Sequence, residues 1–151
     1  MSIFNAFNAS ASALTTQRLR MDVISSNIAN ANTTRATVNE NGEYEPYRRK
    51  MVQIEPTDKS FRTFLHKAAN STDNQATGVK VSRIVEDEEP FKLVYNPTHP
   101  DANEAGYVQM PNVDPLKEMV DLMSATRSYE ANITALNASK SMLMKALEIG
   151  K

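Results

Sequence analysis

Apolar residues recur with two different periods along the chain. Near the N-terminus Phe7, Leu14, Met21 and Ile28 stand seven apart, with Ile3, Phe4, Ala11 and Ile24 on neighbouring flanks. That spacing marks one face of a helix, and Ser2 is suited to cap its start. The positions of a second seam include Ser10, Gln17, Arg18 and Ser25, so the stripe is narrow and does not specify a strong two-stranded coiled coil. At the other end Asp114 followed by Pro115 reads as an N-cap with proline at the first helical position, where its missing N–H costs nothing. From there Leu122, Tyr129, Leu136 and Leu143 repeat every seven residues. Ala125, Ile133, Ala146 and Leu147 lie alongside, and Gly150 fits the C′ position. A second face carries Leu116, Met119, Val120 and Met123, which predicts more than one neighbour near the start of this helix.

Between the helices the period changes to two. Alternating runs from Tyr44 to Ile54, at Val79, Val81 and Val85 around Arg83, at Phe91, Leu93 and Tyr95, and from Tyr107 to Met110 predict strands separated by turns. Phe61, Phe64, Leu65 and Ala68 fall at helical spacing, and Asn70 to Gly78 reads as a loop. All seven prolines lie between Pro46 and Pro115, and three of four glycines between Gly42 and Gly106. Because both residues interrupt helices, this confines strands and turns to the middle. The expectation is an α+β chain whose long N- and C-terminal helices pair antiparallel, coiled-coil-like. Residues 1–36 together with 112–151 would form a helical assembly domain around a small β-rich domain, 37–111, with a mobile loop near 57–78.

Composition sharpens this picture. A chain of 151 residues is the size of one ordinary domain. With 40% hydrophobic residues, no Trp and a mean hydropathy of -0.49, it predicts a small core completed by borrowed surface. The net charge of -1 provides no basic field for nucleic acid. The first 36 residues carry a net +2, the middle block a net -3, and the last 40 balance to zero, so the helical ends carry little net charge. The lack of Cys excludes disulfides and thiolate metal sites. No apolar run approaches the roughly 20 residues of a membrane-spanning helix, which argues against membrane insertion. No basic region precedes an apolar stretch, so any export is expected to proceed without a cleaved signal peptide.

Candidate chemistry is sparse. His66 and His99 stand in different segments, without carboxylates or thiols at ligand spacing. His99-Pro100-Asp101 sits in a proline-rich turn after a strand. Glu86-Asp87-Glu88-Glu89 lacks the glycine and spacing of a calcium loop and reads as a solvated connection. Arg48-Arg49-Lys50, beside Tyr44 and Tyr47, is a short basic cluster in an acidic block and reads as decoration on a strand. With no phosphate loop, nucleophile elbow or Ser, His and acid arrangement, the expectation is no enzyme and no cofactor or metal. Six of the eight methionines lie in or beside the terminal helices, where flexible thioethers suit both a core and a surface that meets several neighbours.

The stretch "ASASALTTQRLRMDVISSNIANANTTRA" resembles the flagellar axial proteins, the rod, hook and hook-junction family whose first helix ends in a run like Ser-x-Asn-Ile-Ala-Asn. "YEPYRRKMV", "GVKVSRIVED", "LVYNPTHPDAN" and "GYVQMPNVDPLKEMVDLMSATRSYEAN" extend the likeness over nearly the whole chain. The resemblance implies a structural subunit of the bacterial flagellar basal-body proximal rod, in which terminal helices form the inner layer of a hollow drive shaft. That shaft would transmit torque, cross the periplasm and enclose the export channel. Implied partners are copies of itself, other rod subunits, the ring-to-rod adaptor and the flagellar type III export apparatus.

By the same resemblance, Ser26, Asn27, Ile28, Ala29, Asn30 and Thr33 are assembly residues, as are Asn112, Asp114, Pro115, Tyr129, Glu130 and Asn132. The helical stripes add Phe7, Leu14, Met21, Leu122, Ile133, Leu136, Leu143 and Leu147. Small Ala side chains admit close backbone approach, and Asn side chains satisfy neighbouring backbone groups without burying a charge. The rival reading is a soluble helical-hairpin binding module or export chaperone.

Overall fold

The computed structural model describes residues 3–39, 42–57 and 78–150. Its elements run α1 (Ile3–Ala29), β1 (Thr37–Val38), β2 (Tyr44–Glu45), β3 (Lys50–Pro56), β4 (Val79–Glu86), β5 (Lys92–Tyr95), β6 (Tyr107–Met110) and α2 (Pro115–Ile149). The two helices pack together and the β-rich region lies between them in sequence, so the α+β expectation holds. The helical spacing at Phe61, Phe64, Leu65 and Ala68, and most of the loop expected near 57–78, lie outside the described residues.

The start of α2 follows from its sequence. Asp114 Oδ1 accepts the N–H of Leu116 at 3.0 Å, and its carbonyl accepts the N–H of Glu118 at 3.0 Å. This is an N-cap followed by proline at the first helical position. At the end of α1, Asn30 bonds the Ser26 carbonyl twice, through its backbone N–H at 3.1 Å and its side-chain Nδ2 at 2.9 Å. The turn then tightens as the Ala31 N–H reaches the Ile28 carbonyl at 3.2 Å.

The predicted strand from Tyr44 to Ile54 divides in two. Pro46 has no N–H for a ladder. The next backbone donors are used elsewhere: the Tyr47 N–H bonds the Thr33 carbonyl at 3.0 Å, and the Arg49 N–H bonds Asn112 Oδ1 at 2.8 Å. The strand at Thr37–Val38 was not anticipated. It pairs antiparallel with β2, Val38 opposite Tyr44. β5 and β6 pair antiparallel from Lys92 opposite Met110 to Tyr95 opposite Tyr107. Gly106 closes that hairpin at φ +79°, where a Cβ would stand 2.9 Å from the Tyr95 ring. β3 pairs with β4, giving three two-stranded sheets among the described residues.

The chain forms two compact units. One comprises Met1–Leu19, Gln53–Arg83 and Ala125–Lys151, the other Arg20–Val52 and Ile84–Ser124. In the first, Gly78 abuts α1 so closely that a Cβ would stand 2.7 Å from Ser12 Oγ. Ser12 Oγ accepts the Val79 N–H at 3.1 Å and donates to the Ala9 carbonyl at 2.8 Å. In the second, Val23, Ile24, Tyr47, Val108 and Val113 form a small apolar core, and buried beside them are Asn27, Asn112 and Glu118. That core is as polar as it is small.

Candidate assembly surface

Glu118 lies in the first turns of α2 on the face that continues through Leu122, Ala125 and Tyr129. Its side chain is 1% exposed. A carboxylate desolvated there requires partners. Oε2 accepts a hydrogen bond from Asn27 Nδ2 at 3.0 Å, and Oε1 accepts one from Arg49 Nε at 2.6 Å. The N-terminal end of the α2 dipole adds a favourable field.

Asn27 uses its full hydrogen-bonding capacity. Nδ2 also donates to the Lys50 carbonyl at 2.9 Å, while Oδ1 accepts the Lys50 N–H at 2.9 Å and the Tyr47 hydroxyl at 3.0 Å. Two donors and two acceptor positions are thus filled in a neutral group. The amide acts as an extra partner for one residue at the start of β3, which no charged or apolar side chain can imitate.

Arg49 carries the network outward. It donates to Asp87 Oδ2 at 3.2 Å and lies 3.7 Å from Asp121, which in turn lies 3.6 Å from Arg20. Desolvation works against the Arg49 charge, but hydrogen bonding and charge from Glu118 and then Asp87 more than offset it and raise its pKa. The Asp87 carboxyl is held below its ordinary value, first by the Glu89 N–H and then by Arg49, against a desolvation push upward. Asn112 closes the other side: Oδ1 accepts the Arg49 N–H and Nδ2 donates to the Glu89 carbonyl at 3.1 Å.

The structure therefore brings together part of the expected assembly motif. Thr33 Oγ1 donates to Asn30 Oδ1 at 3.2 Å, and Ser26 Oγ lies 3.5 Å from the Tyr47 hydroxyl. Ser26 and Ala29 are exposed, Ile28, Asn30 and Thr33 half-buried, and Asn27 buried within the chain. Phe7, Leu14 and Met21 on α1, and Leu122, Tyr129, Leu136 and Leu143 on α2, are half-buried. Ile133 and Leu147 are exposed. Arg49 is more than the strand decoration its sequence suggested, and Asp87 more than part of a solvated connection. Tyr47, Arg49 and Glu118 were not anticipated as a site. The available signal was Glu118, an acid on the stripe that Leu122 and Tyr129 otherwise keep apolar.

The opposite face of α2 has the reverse pattern. Leu116, Met119, Val120 and Met123 fall at i, i+3, i+4 and i+7, and each is more than half exposed. A contiguous apolar strip of this kind on a helix is characteristic of an interaction surface. Met142, Met144, Leu147 and Ile149 are exposed further along.

Residues 7–37 match the family described as "Flagella basal body rod protein". Residues 104–149 match the one described as "Flagellar basal body rod FlgEFG protein C-terminal". The chain is similar to "Flagellar basal-body rod protein FlgC" of Bacillus subtilis, 63% identical over 151 residues and all of both chains. It is similar to the protein of the same name from Borreliella burgdorferi, 43% identical over 154 residues, covering 99% of this chain and 98% of the relative. The Escherichia coli protein of that name is 41% identical over 152 residues, covering all of both chains. With such identity along its full length, and with both helices matched to rod-protein families, the chain belongs to the FlgC family of flagellar basal-body rod proteins.

Proposed function

We propose that this chain is a structural subunit of the bacterial flagellar basal-body rod and contributes no catalysis. Its terminal helices, residues 1–36 and 112–151, would serve as the assembly domain. Self-association and packing against other rod proteins would build the hollow shaft that transmits torque and encloses the export channel. The ring-to-rod adaptor and the flagellar type III export apparatus are the further partners of this reading, with export that needs no cleaved signal peptide. The observation that carries it is the exposed Leu116, Met119, Val120 and Met123 strip in a chain with rod-protein relatives. An isolated chain gains nothing by keeping that strip in water, whereas a neighbouring subunit would bury it. A finished helical hairpin offering a groove to a client is not favoured, because the relatives named as rod proteins match the whole chain.

The test is Leu136→Asp in the flagellated cell. The expected result is loss of rod assembly and motility, with the β-rich region of the purified variant still folded. Normal motility would count against the reading.

A further inference from the structure

The first turns of α2 present two faces, and the less apolar one is turned inward. At about 100° per residue, Glu118, Asp121, Leu122 and Ala125 share one arc of the helix. Glu118 and Ala125 are buried, and Asp121 and Leu122 half-buried. Across the helix stand Leu116, Met119, Val120 and Met123, each more than half exposed. Removing apolar area from water favours the opposite choice, since these four side chains outweigh one leucine and one alanine. Something other than apolar burial therefore decides how α2 faces.

The Glu118 carboxylate identifies it. Its two oxygens are held by different segments: Asn27 Nδ2 on α1 donates to Oε2 at 3.0 Å, and Arg49 Nε, just before β3, donates to Oε1 at 2.6 Å. Asp121, on the same arc, lies 3.7 Å from Arg49 and 3.6 Å from Arg20 of α1. If α2 turned about its axis to bury the apolar strip, Glu118 would lose both donors. Arg49, whose side chain is 14% exposed, would keep Asp87 but lose Glu118 and Asp121. Each such loss leaves a desolvated polar group without its partner.

We propose that the contact of Glu118 with Asn27 and Arg49 sets the rotational register of α2, and so keeps the more apolar face of the helix outward. A buried polar contact suits that task because it is directional. Burial rewards any apolar face, whereas two hydrogen bonds to one carboxylate exist in a single register. Asn27 and Arg49 are then positioning residues for a surface that lies across the helix from them. The inference concerns the isolated chain and does not depend on the rod reading.

The chain contains no cysteine, so single introduced cysteines report the facing of α2 by their rate of reaction with a maleimide. Val120→Cys samples the outward face, and Ala125→Cys, at a position 0% exposed, samples the inward one. In the otherwise unchanged full-length chain, Val120→Cys should react much the faster. Glu118→Ala together with Arg49→Met removes the contact and leaves neither charge of the pair behind. In that background Val120→Cys should react about tenfold more slowly as the strip turns inward, while Ala125→Cys reacts faster. Slowing at Val120→Cys is the decisive reading, because loosening or unfolding of the helix speeds both positions. Adding Met119→Gln and Met123→Gln to the same background makes the strip polar and should restore the fast reaction. Glu118→Ala alone, with Arg49 still beside Asp87, gives the same reading should the double variant fail to fold. A Val120→Cys rate that is unchanged or raised in a variant of parental helicity would overturn the proposal, since the contact would then stabilise α2 without choosing its face. Failure of the two glutamines to restore the rate would overturn it as well. Because no assembly step is measured, failure here leaves the rod reading intact, and failure of rod assembly leaves this result intact.

Discussion

Asn27 Nδ2 and Glu118 Oε2 stand 3.0 Å apart across 91 residues of sequence, joining the last turns of α1 to the first turns of α2. Because the same amide also serves Lys50 and Tyr47, its removal orphans several buried groups at once. Asn27→Ala should therefore destabilise the unit by about 2–4 kcal/mol, more than one lost hydrogen bond. Asn27→Asp should cost at least as much, since it sets a second carboxylate against Glu118 and removes both donors. Urea unfolding followed by far-ultraviolet circular dichroism measures both, and a change within about 0.5 kcal/mol for Asn27→Ala would refute the clasp.

The pairing of Arg49 with Glu118 should behave as a buried ion pair. Arg49→Met leaves the Glu118 carboxylate uncompensated and is expected to cost about 3–5 kcal/mol. Arg49→Lys keeps the charge but loses the fork that reaches Glu118 and Asp87 together, and should fall between. In the double variant Arg49→Met with Glu118→Gln, no charge remains stranded, so the loss should be well below the sum of the single losses. Additive losses in this double-mutant cycle would show that the two side chains do not act as a pair.

Much of the fold was legible because its signals are local. Asp114-Pro115 fixed the start of α2, and the seven-residue stripes gave both helices. The polar network was hidden for a physical reason: each member looks solvent-loving in its own segment. Arg49 sits in a basic triplet and Asp87 in an acidic run, and only tertiary contact turns them into each other's partners. Asn27 was legible as important through its family motif, while its placement inside the chain depends on Lys50 and Tyr47, two segments away. The break in the strand run after Tyr44 has a similar cause, because Thr33 and Asn112 capture the donors of Tyr47 and Arg49.

Acid should weaken the chain through Asp87 and Asp101. Both are held below their ordinary value of 3.8. For Asp101 the hydrogen bond from Arg35 is the leading cause. A carboxyl whose folded pKa is depressed releases its proton more readily in the folded state. Its contribution is thus present above the ordinary value and is lost as the pH falls through 3.8 toward the lower folded value. Unfolding midpoints should fall between pH 5 and pH 3, and less steeply in Asp87→Asn than in the parent. Equal slopes would remove Asp87 from the account.

Amide exchange on the dilute chain should separate clasped from unclasped helix. Residues 23–27 and 118–125 hold the buried positions Val23, Ile24, Asn27, Glu118 and Ala125, so their amides should be among the slowest. From Lys140 to Ile149 only Leu143 is even half-buried, and exchange there should be fast, as in a helix end that gains its neighbours on assembly. Uniformly slow exchange along α2 would favour a self-sufficient hairpin.

The exposed strip on α2 offers the sharpest division between folding and assembly. Val120 is 57% exposed and Met123 56%, so neither contributes much to the isolated chain. Substituting either by Glu should change its unfolding free energy by no more than about 0.5 kcal/mol. In a rod, the same charge would lie against an apolar neighbour without a partner, and burial on those terms costs several-fold more than the substitution costs the monomer. Val120→Glu and Met123→Glu should accordingly leave the purified chain stable while abolishing its incorporation into basal bodies, read by immunoblot of isolated basal bodies and by swimming in soft agar. Leu136→Asp, which strikes a half-buried position on the other stripe, should lower stability as well. If the strip variants swim normally, that face stays in water in the assembled rod, and the contacts between subunits must be made elsewhere.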